Sequence, residues 1–168
     1  MVYEVFCRYA ETETTYPGGC SEPLLLEIIP DFITSETYII NEEKSIIAGV
    51  DSGTTVSLLR ECLDQGKYAT IQNAEGILSE STILSTGDEV VINDISGTVA
   101  RYTIVVKGDI DCNGETDLTD MLIVLTMLSA EAYPQDIYFY AADMNSDGYV
   151  NSIDYALIHA KCLGMDVE

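Results

Sequence analysis

Apolar positions along this chain fall into short stretches over roughly the first two thirds and one long block after them. Val2-Tyr3-Glu4-Val5-Phe6-Cys7 and Leu24 to Ile29 read as strands. The turn Tyr16-Pro17-Gly18-Gly19-Cys20 joins them and Pro30 ends the second. Further short β runs follow at Thr37-Tyr38-Ile39-Ile40, Ser45-Ile46-Ile47-Ala48, Tyr68-Ala69-Thr70-Ile71, Glu89-Val90-Val91-Ile92 and Arg101-Tyr102-Thr103-Ile104-Val105-Val106. Between them, Val56, Leu59, Cys62 and Leu63 recur at helical spacing. Thr54 or Thr55 is placed to cap that helix, and Gly66 is expected to close it. The pattern predicts a β-rich segment over 1–34, which either stands alone or belongs to the next module, and a small α+β module over 35–107.

After Lys107 the pattern changes. Leu118, Met121, Leu122, Ile123, Val124, Leu125, Met127 and Leu128 form a helix of about 118–129 that is apolar on nearly every face. A helix of that kind is buried all round, either by the α+β module or by a partner protein. A short helix within 133–142 and a last one over about 152–163, stopped by Gly164, complete an all-α unit.

Each of the two longer helices is preceded by the same loop. Asp109-Ile110-Asp111-Cys112-Asn113-Gly114-Glu115-Thr116-Asp117-Leu118-Thr119-Asp120 returns as Asp143-Met144-Asn145-Ser146-Asp147-Gly148-Tyr149-Val150-Asn151-Ser152-Ile153-Asp154, an offset of 143 − 109 = 34 residues. Oxygen-bearing side chains stand at loop positions 1, 3, 5, 9 and 12 with Gly at position 6, the layout of a twelve-residue calcium loop. Loop one offers Asp109, Asp111, Asn113, the carbonyl of Glu115, Asp117 (directly or through water) and Asp120. Loop two offers Asp143, Asn145, Asp147, the carbonyl of Tyr149, Asn151 (again directly or through water) and Asp154. Position 12 is Asp rather than the usual Glu, so each loop must close more tightly. Hard oxygen ligands in this number favour Ca²⁺ over Mg²⁺, one ion per loop and two Ca²⁺ in all. A strand, not a helix, precedes loop one, so the repeat is loop-helix and not a full EF-hand pair.

Charge and composition narrow the function. The formal net charge is −22, which repels nucleic acid and anionic membranes. No apolar run is long enough to span a bilayer, and Met1-Val2-Tyr3-Glu4 has no signal-peptide pattern; the abrupt start suggests a fragment of a longer protein. The one His, His159, leaves no catalytic dyad, and no catalytic residue is expected. The five Cys lack metal-ligand spacing, and their odd number leaves at least one unpaired in a monomer. Cys62 is expected as a buried free thiol; Cys7 and Cys20 flank the first turn and are either bridged or free.

Gly108-Asp109-Ile110-Asp111 with its loop and helix, and Ala141 to Leu157, resemble a type I-like dockerin over 108–168; 35–107 resembles, more weakly, the X-type modules that precede some dockerins. The resemblance implies a non-catalytic module, secreted or surface-bound in an anaerobic bacterium, that docks onto a cohesin in a cellulosome or a related polysaccharide-degrading assembly. It places the cohesin contacts at Leu118, Thr119, Met121, Leu122, Leu125, Thr126, Ser152, Ile153, His159 and Ala160. Many members of that family carry Lys-Arg where this chain has Leu125-Thr126 and His159-Ala160, so a more apolar interface is expected. Because the two halves differ at these pairs, one dominant docking orientation is expected. The pseudo-twofold arrangement would also bring the ends of the unit together, with a Cys112–Cys162 disulfide as their clasp. Other readings are an EF-hand-like calcium-responsive regulator and a carbohydrate-binding module using some of the 11 Tyr.

Overall fold

The computed structural model describes residues 32–64, 66–94, 97–130 and 136–165. The hairpin expected within 1–31 and its Cys7–Cys20 pair lie outside these residues. The described elements in chain order are β1 (Ile39–Asn41), β2 (Ile46–Val50), α1 (Val56–Cys62), a 3₁₀ turn (Gly66–Tyr68), β3 (Ala69–Asn73), β4 (Gly76–Ile77), β5 (Glu89–Asp94), β6 (Gly97–Val106), α2 (Leu118–Ala130), α3 (Ile137–Ala142) and α4 (Ser152–Cys162).

The six strands form a single sheet in the order β1-β2-β6-β5-β3-β4. Only β2 and β6 run parallel, with Ile46 opposite Thr103 and Ile47 opposite Ile104. The β5–β6 pair is antiparallel, with Val90 opposite Tyr102. α1 begins where the sequence places it: the side chain of Thr55 caps it by accepting from the N–H of Leu58.

Successive strand residues point to opposite faces, and β2 and β6 are apolar at consecutive positions. Ile47, Val50, Ile104 and Val106 therefore enter one core with Val56, Leu59, Ile71, Val90 and Ile92. Ile46, Ala48 and Val105 enter a second core on the other face, with Ile110, Val124, Met127, Ala141, Met144 and Ile158. α3 thus packs on the back of the sheet against β2 and β6, α2 packs on α4, and the two modules share a core. Their joint is pinned. Lys107 donates its N–H to the carbonyl of Val50 at 2.7 Å, Gly108 to that of Ala141 at 2.8 Å, and the hydroxyl of Thr116 to that of Lys107 at 3.1 Å.

One expectation needs correction and another is settled in part. Gly66 does not close α1: the helix ends at Cys62, Leu63 is extended (φ −99°, ψ 127°), and Gly66 opens the 3₁₀ turn. A Cβ there would lie 1.9 Å from the carbonyl oxygen of Arg60, so close backbone approach is what demands Gly. On α2, of the two covers expected, the chain itself supplies only part. Val124 and Met127 face the core, whereas Leu118, Leu122 and Leu125 are 60%, 52% and 45% exposed. α4 and the shared core cover only part of its circumference.

Candidate functional site

The two repeated loops fold to the same backbone. Position 4 is left-handed in both (Cys112, φ 65°; Ser146, φ 57°), as is the Gly at position 6 (Gly114, φ 88°; Gly148, φ 84°). Gly tolerates that conformation; Cys and Ser do not favour it. Nothing in the residue type at position 4 signals it, and only the repeat relates the two.

A set of backbone N–H groups orients the carboxylates. Asp109 accepts from the N–H of Asn113 at 2.9 Å and also from that of Gly114. Asp143 accepts from those of Asp147 at 3.1 Å and Gly148 at 2.9 Å. At position 12, Oδ1 of Asp120 accepts from Ile110 (2.7 Å) and Asp111 (3.0 Å), and its Oδ2 from Asp117 (2.9 Å). Asp154 repeats this with Met144 (2.9 Å), Asn145 (3.4 Å) and Asn151 (2.8 Å). The shorter Asp at position 12 thus clasps the start of the loop to its end. Position 9 has a second task. Oδ1 of Asp117 accepts from Thr119 at 2.6 Å, and Oδ1 of Asn151 from Ile153 at 2.8 Å, so each caps the helix that follows.

Asp109, Asp111 and Asp120 come together, with one carboxylate oxygen from each within 4.8 Å of the others. Asp109 and Asp120 are fully buried and Asp111 is exposed. Among the described residues this is the only group of three acidic, His or Cys side chains brought so close. In loop two Asp143 and Asp154 are buried, while Asn145, Asp147 and Tyr149 are exposed. Asn113 donates its side-chain amide to Asp111 at 3.1 Å, and Asn145 to Asp147 at 2.9 Å, so these groups lie within reach of the same centre. Glu115, whose carbonyl is the expected ligand, is exposed.

Burial pushes Asp109, Asp120 and Asp143 above the ordinary carboxylate value, and neighbouring carboxylates add to the shift; the N–H bonds offset only part of it. By contrast, the N–H of Thr119 holds Asp117 below it. A cluster of hard oxygens that crowd one another is what a divalent cation relieves, and an all-oxygen set of this kind fits calcium.

The expected clasp between Cys112 and Cys162 is not formed. Both are free thiols, each about 3.9 Å from a backbone carbonyl, Ile110 for Cys112 and Thr116 for Cys162. Burial and the neighbouring Asp109 and Asp111 push the Cys112 thiol up to about 11, and burial raises Cys162. Thiols that hold their protons are poor partners for exchange. Cys62 is also free and is half-buried rather than fully buried.

The expected partner-binding residues lie mostly on open surface. Leu118, Leu122 and Leu125 form one stripe along α2 with Thr119 and Thr126 exposed beside them, while Met121 is half-buried. Ser152, Ile153 and His159 are exposed on α4, and Ala160 is half-buried. Tyr155 and His159 stack with ring planes 7° apart. A groove of about 460 Å³, lined by Thr116, Leu118, Met121, His159 and Leu163, joins the start of α2 to the end of α4. The sequence reading missed one contact altogether: the N–H of Thr86, in the sheet module, donates to Oδ2 of Asp109 at 2.7 Å.

Residues 107–163 match the family model of the Dockerin type I domain. Dockerin domains in general are non-catalytic modules that bind calcium and dock to cohesins. No curated protein and no solved structure matches the chain. Among the described residues, no helix is long and apolar enough to cross a membrane.

Proposed function

We propose that this chain is a calcium-dependent docking module whose residues 108–168 bind a cohesin, anchoring a parent protein in a cellulosome-like extracellular complex. Residues 35–107 act as an X-type module that braces it. One observation carries the reading: the Leu118, Leu122 and Leu125 stripe stays exposed on a helix that starts directly from a calcium-type loop. A fold with a core on each face of its sheet has the means to cover such a stripe, and leaving it open suits a protein partner.

The loops set the position of that stripe. Asp120 and Asp117 tie loop one to the first turn of α2, and Asp154 and Asn151 do the same for α4. Bound calcium, one ion in each loop, supplies the positive charge that lets the loop carboxylates sit together. The side chains offered to the cohesin differ between the halves: Leu118-Thr119 and Leu125-Thr126 on α2 against Ser152-Ile153 and His159-Ala160 on α4. A cohesin surface fitted to the leucine stripe is not fitted to the α4 face, so one orientation dominates.

A titration calorimetry screen against a panel of cohesins, in calcium and in chelator, tests the proposal. At least one cohesin should bind in calcium and release in chelator. Binding by none of them, or binding that survives chelation, would overturn it.

A further inference from the structure

Both loops lend apolar residues to the core shared with the sheet, Ile110 from loop one and Met144 from loop two, but the position 1 carboxylates of the two loops are held differently. Asp109 and Asp143 are each met by the N–H groups of loop positions 5 and 6, but Asp109 has an additional donor from outside its loop, the N–H of Thr86 at 2.7 Å. The turn that carries Thr86 also lies against the glycine of loop one. A Cβ on Gly114 would stand 2.9 Å from Oγ of Ser85 and 3.3 Å from the carbonyl oxygen of Leu84, whereas one on Gly148 would meet nothing within 4 Å. The turn is itself fixed to the sheet. The hydroxyl of Thr86 accepts from the N–H of Val106 at 3.0 Å, Gly87 donates to the carbonyl of Ile104 at 2.9 Å, and Leu84 to that of Thr54 at 2.9 Å.

We propose that metal site one is a two-module site, in which the Thr86 N–H is a positioning group that holds Asp109 for the cation, while Asp143 and Asp154 of loop two are held by N–H groups of their own loop. The inference rests on the calcium reading above. A donor anchored in the sheet fixes the Asp109 carboxylate before the cation arrives, so less ordering remains for binding to do. Calcium at site one and the sheet module then stabilise each other, because any coupling between two equilibria is reciprocal. Site two lacks that link.

Amide hydrogen exchange by NMR on the whole chain, with and without calcium, tests this directly. Calcium at about ten times its dissociation constant should slow exchange at Thr86 about tenfold, in step with Asn113 and Gly114. Protected loop amides with an unchanged Thr86 would overturn the inference and leave the calcium reading standing. No protection in either loop would overturn both. Two variants, followed by loop-specific shifts in a calcium titration, give a second readout. Thr86→Pro removes the donor and should weaken site one about tenfold, the order of one hydrogen bond to a charged group, with site two unmoved. Thr86→Val keeps the donor and removes the hydroxyl, and should leave site one within about threefold of the parent. Equal losses at both sites in Thr86→Pro, or a Thr86→Val loss as large as that of Thr86→Pro, would overturn the proposal.

Discussion

Asp120→Ala separates a carboxylate that only binds metal from one that also holds the loop together. The side chain is fully buried and accepts from three backbone N–H groups, those of Ile110, Asp111 and Asp117. Ile110 is buried, and the bonds to Asp111 and Asp117 are part-buried. Truncation leaves these donors without an acceptor, at a cost of about 1–3 kcal/mol for each one that water cannot reach. Against this, burial of the charge and the nearby Asp111 work to raise the Asp120 value, so removing the carboxylate recovers part of the loss. We expect a net destabilisation of about 2–3 kcal/mol in the metal-free protein, from one fully buried donor and two partly solvated ones. Calcium present in excess should widen the gap, since the variant also loses a ligand. Urea unfolding followed by circular dichroism, run in chelator and in calcium, measures both quantities. If Asp120 were a metal ligand and nothing more, its removal would relieve repulsion and leave the metal-free variant as stable as the parent or more so. That result would refute the clasp.

Leu122→Asp changes an exposed stripe residue, so stability should move by no more than about 0.5 kcal/mol while cohesin affinity drops by more than a hundredfold; calorimetry and a melt on the same sample decide it. Chelation should loosen α2 and α4 without unfolding them, so that their amides exchange faster while amides of the sheet core such as Ile104 and Val90 keep their protection; an equal loss of protection in both would show that the two modules open as one. The metal-free fold should also lose stability as pH rises. Asp109, Asp120 and Asp143 hold their protons to higher pH folded than unfolded, so the stability they contribute is fully present below the ordinary carboxylate value of about 4 and is lost as pH rises through their raised folded values. A melting temperature in chelator that climbs from mildly acidic to neutral pH would contradict this.

Much of the architecture follows from local spacing. The loop register, the N-cap at Thr55 and the starts of α2 and α4 are set by residues a few positions apart, and chain geometry delivers those contacts whatever surrounds them. The short β-branched runs of β2 and β6 likewise imply strands, although only the packed structure shows both faces of the sheet covered. The family match bears on residues 107–163 and leaves 35–107 as a sheet module without a matched relative.

By itself, then, the sequence determined the two loops, their oxygen-bearing side chains and the helices they launch, because each depends on neighbours within about one loop length. Tertiary structure alone decided which side of α2 is covered. The helix is apolar almost all round, and periodicity cannot rank equivalent faces; packing on α4 within the shared core chose Val124 and Met127 and left Leu118, Leu122 and Leu125 open. It alone put Gly66 against the backbone of Arg60, left Cys112 and Cys162 as free thiols, and brought the Thr86 N–H, 23 residues upstream, onto Asp109. A backbone donor has no side-chain signature, so no residue pattern could have announced that last contact.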